Sequence, residues 1–210
     1  ISSIQTSGTL NWSFGSGSEA FNHLAAGEQL TLTYTVRVSD SSGLSSELPV
    51  SITINGTNDV PVVTNAVTAL VGAVTEAGSN DDGTSVAGSP SVSGTLTASD
   101  VDAGATRTWS IQGTPSTTYG AITINAATGV WTYTLDNTLA ATQALKEGQS
   151  VTQAYVARVT DDFGAYVDQT ITVTINGTND VPVITNAVTA LVGAVTEAGS
   201  NDDGTSVAGS

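Results

Sequence analysis

Cysteine and methionine are absent from the 210-residue chain, and histidine occurs once, at His23. Without cysteine there is no disulfide, no thiolate zinc site and no cysteine nucleophile, and redox usage carries no information about compartment. One histidine excludes a His-rich metal centre and makes any Ser-His-Asp triad depend on a single residue. Basic residues are scarce too: 4 Lys and Arg stand against 19 Asp and Glu, a formal charge of −15. Phosphate binding needs a basic footprint that this chain lacks, so nucleic acid is excluded as a partner, and an anionic membrane surface would repel it. No run approaches the ~20 apolar residues of a membrane-spanning helix, so no membrane insertion is expected. The start, Ile1-Ser2-Ser3-Ile4, has neither an initiator Met nor the basic opening of a signal peptide, which suggests a segment of something longer. What is present argues against disorder: 39% of residues are hydrophobic and only 11% charged.

The dominant feature is an internal repeat. Residues Asn55 to Ser89 recur as Asn176 to Ser210, with Val63 replaced by Ile184, at an offset of 121 residues. The same offset carries Leu24 onto Leu145, Tyr34 onto Tyr155, Arg37 onto Arg158 and Asp40 onto Asp161. The chain therefore divides into 1–59, the back part of one repeat; 60–180, a complete repeat; and 181–210, the front of a third. A unit of this size can hold its own core, unlike a short solenoid repeat that must stack on its neighbours. The two partial repeats cannot each close a core, so they are expected to fray, swap or complement each other between molecules.

Within a repeat the texture is β. Period-two alternation runs through Leu30–Val38, Gly129–Leu135 and Thr170–Ile175, with Ile171, Val173 and Ile175 on one face and Thr on the other. Short strands separated by Gly, Asn, Asp and Ser clusters indicate an all-β, antiparallel sandwich. Val67 to Val74 is compatible with a short helix or a strand, its valines and Gly72 favouring strand. Asn80 to Ser85 reads as an exposed loop, and Ala140 to Glu147 as a helical turn or two.

Thirteen of the acids are Asp, and they gather where strands end. The clusters are Asn176 to Pro182 with its twin Asn55 to Pro61, Ser99 to Gly104, and Val159 to Gly164. Singly, each is ordinary turn chemistry, since Asp and Asn accept backbone N–H groups. Together, short carboxylates with no nearby cation repel one another, and a divalent hard cation removes that penalty. Ca²⁺ takes six to eight oxygens of the kinds these loops offer. The spacing is not that of an EF-hand, because the twelfth position counted from Asp100 is Ile111. No Gly-Gly-x-Gly-x-Asp run of a calcium-binding β-roll is present.

Gly94-Thr95-Leu96-Thr97-Ala98-Ser99-Asp100-Val101-Asp102-Ala103-Gly104, Gly129 to Asn137, Val159-Thr160-Asp161 and Thr172 to Asp180 resemble the VCBS repeat of large bacterial surface adhesins of the RTX or biofilm-associated type. A looser resemblance runs to cadherin domains. It implies tandem Ig-like or cadherin-like sandwiches of Greek-key form, export to the bacterial cell surface, and adhesion or biofilm formation. The partners would be neighbouring repeats of the same chain, with cell-surface or glycan ligands met by other regions. Carried over residue by residue, it implies Ca²⁺ at two linkers. At the first, Asn58 and Asp59 would meet Asp100, Asp102 and Asp161. At the second, Asn179 and Asp180 would meet Glu76 and Asp136. Where cadherins carry an Asp-Arg-Glu box, this chain has Asp136-Asn137-Thr138, which leaves the number of ions per linker open.

Two other function classes compete. A sugar-binding sandwich would use exposed aromatics, and Trp12, Trp109 and Trp131 are available. However, Trp131, Tyr133 and Leu135 share one strand face, apolar also in its first-copy counterpart Leu10, Trp12, Phe14, which is the pattern of a core. An enzyme is disfavoured further. The counterpart of His23 is Ala144, adjacent Asp161 and Asp162 point to opposite sides of an extended chain, and no phosphate loop or Gly-x-Ser-x-Gly elbow is present.

Overall fold

The computed structural model describes residues 9–17, 21–182, 184–185, 193–195 and 197–209. Strand follows strand along nearly its whole length: β1 (Gln29–Ser39), β2 (Ser45–Asn55), β3 (Val62–Val63), β4 (Val71–Thr75), β5 (Gly78–Ser79), β6 (Ser85–Val86), β7 (Ser91–Thr95), β8 (Ala98–Ser99), β9 (Arg107–Ile111), β10 (Gly120–Ile124), β11 (Val130–Leu135), β12 (Ser150–Asp161), β13 (Tyr166–Asn176), β14 (Gly199–Ser200) and β15 (Ser206–Val207). A single helical turn, α1 (Ala140–Gln143), falls inside the segment expected to be helical, and a 3₁₀ turn spans Val67–Leu70. No helix among the described residues is long and apolar enough to cross a membrane.

Between the two linkers the strands form two facing sheets, ordered β4-β13-β12-β9 and β10-β11-β7. Alternation decides what lies between them. Ile171, Val173 and Ile175 of β13, and Tyr155, Ala157 and Val159 of β12, point inward against Trp131, Tyr133 and Leu135 of β11, all nearly or fully buried. The intervening threonines face outward. The all-β sandwich expectation holds, with one refinement: β4 runs parallel to β13, from Thr172 opposite Val71 to Asn176 opposite Thr75. A parallel neighbour needs a long crossover, which the strands lying between β4 and β13 supply.

The ambiguous Val67–Val74 segment divides in two. Its first half is the 3₁₀ turn, and only from Val71 does it become strand. The turn brings the Ala69 carbonyl to the buried indole, whose Nε1–H donates to it at 3.1 Å. Gly94 lies against the same Trp131 ring, where a Cβ would stand 2.7 Å from Nε1. Trp109 is also buried, with Ile111 packed against the same core, as their shared strand face requires. Asn80 to Thr84 is the exposed tip of the β5–β6 hairpin, and Asn201 to Thr205 repeats its bonds between β14 and β15.

The β1–β2 hairpin is the first-copy counterpart of β12–β13. It reproduces the turn, with the Ser42 and Leu44 N–H groups donating to Asp40 Oδ1 at 2.9 Å as Phe163 and Ala165 donate to Asp161 Oδ1 at 2.9 and 2.8 Å. It has no facing sheet among the described residues.

Candidate functional site: two interrepeat junctions

Each linker leaves its hairpin through a glycine that no other residue could replace in place. The Gly56 N–H donates to the Glu28 carbonyl at 2.9 Å, and a Cβ at Gly56 would overlap the carbonyl oxygens of Leu24 and Ala25. Gly177 does the same, donating to the Gln149 carbonyl at 2.9 Å beneath Leu145 and Lys146. After each glycine the Thr-Asn-Asp stretch is carried across the end of a sandwich, and at the first linker Pro61 is then buried in the next unit.

At the first linker the structure gathers all five residues named from the sequence. Asn58 Nδ2 donates to Asp161 Oδ2 at 2.9 Å, and the Asp59 N–H donates to Asp102 Oδ2 at 2.8 Å. The Asp102 N–H in turn donates to Asp100 Oδ1 at 3.1 Å. A backbone bond also joins the two units, from the Ala103 N–H to the His23 carbonyl at 2.9 Å. Asp102 and Asp161 are each only 6% exposed. Burial pushes the Asp161 carboxyl up, but the Asn58 amide and the N–H groups of Ala165, Phe163 and Gly164 outweigh it and hold its pKa below the ordinary range. Asp100 Oδ2 and Asp102 Oδ1 are buried with no hydrogen-bond partner.

The second linker gathers Glu76, Asn179 and Asp180. Glu76 is fully buried; its Oε1 accepts from the Thr178 N–H at 2.7 Å, and the Asn179 carbonyl accepts from Ser79 at 2.6 Å. Burial raises the Glu76 pKa, the Thr178 N–H works against the rise, and the nearby Asp180 charge adds to it. Glu76 Oε2 and Thr178 Oγ1 are buried and unpartnered.

Asp136 makes its hydrogen bonds within its own turn. It is exposed, and its Oδ1 accepts both the Thr138 N–H at 2.9 Å and the Thr138 hydroxyl at 2.6 Å, which lower its pKa. The next residue takes the place beside Glu76: Asn137 Oδ1 accepts from Ala77 N–H at 2.9 Å and its Nδ2 donates to the Ala77 carbonyl at 3.4 Å. Asn137 is the junction residue that sequence reasoning passed over, and the available signal was its position directly after a core strand. Sequence reasoning has Thr178 offering its hydroxyl or carbonyl to the linker, and here its N–H donates to Glu76.

The chemistry on offer is that of hard oxygen donors. The ion pairs among the described residues are Arg37–Glu47 and Arg158–Asp168, both outside the junctions. Buried carboxylate oxygens left without a donor are costly, and a cation would relieve them. Among the described residues, no three His, Asp or Glu side chains converge closely enough to hold a metal ion by themselves. A cation here would also draw on Asn side chains, backbone carbonyls or water, the mixed set that suits Ca²⁺. The tryptophans named as a sugar platform in the complete repeat are buried, Trp131 at 0% and Trp109 at 6% exposure.

A model of the bacterial cadherin-like domain family matches residues 58–177. No curated protein matches the chain. Among solved structures, mouse cadherin-23 EC22-24 aligns at 15% identity and a TM-score of 0.37, covering 73% of this chain and 43% of that one. Drosophila N-cadherin EC1-4 aligns at 13% identity and a TM-score of 0.43, covering 78% of this chain and 36% of that one. The protocadherin gamma B4 extracellular domain aligns at 21% identity and a TM-score of 0.37, covering 71% and 22%. The chain thus spans less than half of each of these solved chains.

Proposed function

The chain belongs to the bacterial cadherin-like domain family, and from that premise we propose that it is a tandem structural repeat of the VCBS kind, serving adhesion or biofilm formation at a bacterial cell surface, with Ca²⁺ stiffening its linkers. The units would be 1–59, 60–180 and 181–210, each a sandwich or part of one. The observation that carries the reading is the pair of buried, unpartnered oxygens Asp100 Oδ2 and Asp102 Oδ1 beside a linker already tied to Asp102 and Asp161.

The two linkers are the same element seen from opposite sides. Asn58-Asp59 and Asn179-Asp180 are counterparts at the 121-residue offset. The first is described with the unit that follows it, the second with the unit that precedes it. A complete junction would therefore combine Glu76, positioned by Thr178 and Asn137, with the linker Asn-Asp pair and with the residues equivalent to Asp100, Asp102 and Asp161. Ca²⁺ would supply the positive charge that these oxygens lack and hold two units at a fixed angle. Without it, acidic loops repel across distances comparable to the ~8–10 Å screening length, and a linker of a few residues flexes.

Calorimetric titration of the intact 210-residue chain with CaCl₂ tests this. Binding in the range of extracellular sites, about 10⁻⁴–10⁻³ M, is expected, with a higher Tm and a narrower distance distribution in small-angle scattering than in EDTA. No heat of binding, together with identical melting and scattering in the two conditions, would refute the calcium role.

A further inference from the structure

Asn58 is the neutral member of the five side chains at the first junction. Its amide nitrogen is turned toward two oxygens: Nδ2 donates to Asp161 Oδ2 and to the Asp59 carbonyl, each at 2.9 Å. Its own Oδ1 accepts from none of the described residues. The partners dictate this orientation. A carboxylate and a carbonyl can only accept, so an amide lying between them must present its N–H groups and not its oxygen. Asn137 is the contrasting case. Its Oδ1 accepts from the Ala77 N–H at 2.9 Å and its Nδ2 donates to the Ala77 carbonyl at 3.4 Å, so both ends of that amide are engaged.

The two oxygens that Asn58 bridges are hard donors of the kind Ca²⁺ takes. The rest of the Asp161 carboxylate is already served, because Oδ1 receives the Phe163 and Ala165 N–H groups at 2.9 and 2.8 Å. Asn58 therefore supplies the positive charge density at Oδ2. In the same junction Asp100 Oδ2 and Asp102 Oδ1 are buried without any donor. A cation bonded to Asp161 Oδ2 at roughly 2.3–2.6 Å, the calcium–oxygen distance, would face the amide hydrogens, full positive charge against partial. Amide and ion exclude each other at that point.

We propose that the Asn58 amide nitrogen substitutes for the cation at this junction, bridging Asp161 Oδ2 and the Asp59 carbonyl when calcium is low and giving up both oxygens when the ion enters. The proposal rests on the calcium reading above. It divides the junction oxygens into two groups. Asp100 Oδ2 and Asp102 Oδ1 are open to an ion from the start, whereas Asp161 Oδ2 and the Asp59 carbonyl become available only once the amide has left. Asn58 thereby ties the linker to the following unit without calcium and opposes the ion that replaces it.

Nuclear magnetic resonance of the intact, isotope-labelled chain, titrated from EDTA into CaCl₂, tests this. One pair of side-chain amide signals, identified by its loss in Asn58→Ala, is expected to be protected from solvent exchange in EDTA. It should shift and lose that protection in step with the backbone signals of Asp100 and Asp102 as calcium is added. Asn58→Ala is also expected to lower the Tm in EDTA by about 2–4 °C, because Asp161 Oδ2 loses its donor, and to gain more from CaCl₂ than the wild type does. Amide signals that stay in place while those of Asp100 and Asp102 move would overturn the proposal and leave the calcium reading intact. If neither set moves, the calcium reading falls and the proposal with it. An Asn58→Ala chain whose Tm is unchanged in EDTA and reduced only in CaCl₂ would make Asn58 a plain ligand, which also overturns the substitution.

Discussion

Glu76 shows how a single side chain ties stability to ionic conditions. It is fully buried, and both its burial and the Asp180 charge keep its folded pKa above the ordinary 4.5. The sign follows from linkage: between its unfolded and folded pKa values the native state holds the extra proton, so this group's contribution to stability declines as pH rises through that window. A bound cation would reverse the penalty. Glu76→Gln is therefore expected to raise the Tm at pH 7 in EDTA by about 2–4 °C and to shrink the further rise produced by CaCl₂. Differential scanning calorimetry in the two buffers reads both effects. A substitution that lowers the Tm equally with and without calcium would assign Glu76 a packing role instead. Asp161 behaves differently because two backbone N–H groups already occupy its Oδ1; the same turn at Asp40 shows that this part of its role belongs to the hairpin and not to the linker.

Among the elements, β11 was the most legible in sequence. Strict alternation put Trp131, Tyr133 and Leu135 on one face, and that face is the core. What alternation does not encode is contact across the core. The 3₁₀ turn at Val67–Leu70 exists in register with the Trp131 indole, a partner 62 positions away, so local propensity alone favoured strand. The Tyr133 hydroxyl donates to Gln153 Oε1 at 3.1 Å and Tyr155 reaches the same oxygen at 2.6 Å, a network no motif announces. At the junctions, Asn58, Asp59, Asp100, Asp102 and Asp161 were named from the resemblance to cadherin junctions, and hydrogen bonds link them at the first linker. Asp136 was named on the same ground, but its Thr138 neighbour satisfies it locally, and the neutral Asn137 carried no charge signal. Close approach is equally silent in sequence. Gly94→Ala would put a methyl group inside contact distance of the Trp131 ring, and overpacking of this kind costs about 1–3 kcal/mol. Urea unfolding is expected to show a lower midpoint with an unchanged slope.

For the whole molecule, the repeat organisation was readable because near-identical sequence at a fixed offset needs no structural knowledge to detect. The proposed stiffening belongs to this scale. Replacing Asp100 and Asp102 together by Asn removes two carboxylates from the first linker while conserving volume. The double variant is expected to lose most of the calcium-dependent change in maximum dimension seen by small-angle scattering, at little cost to the Tm in EDTA.

The parallel pairing of β4 with β13 bears on how a row of units carries load. The chain enters the complete sandwich through β3 and the 3₁₀ turn, continues into β4 and departs after β13, and β4 and β13 run in the same direction through five matched positions. A pull on the two ends drags them lengthwise past each other, so the bonds of the ladder must fail together instead of peeling away singly. The unit would resist tension through the β4–β13 pair, much as a lap joint resists sliding.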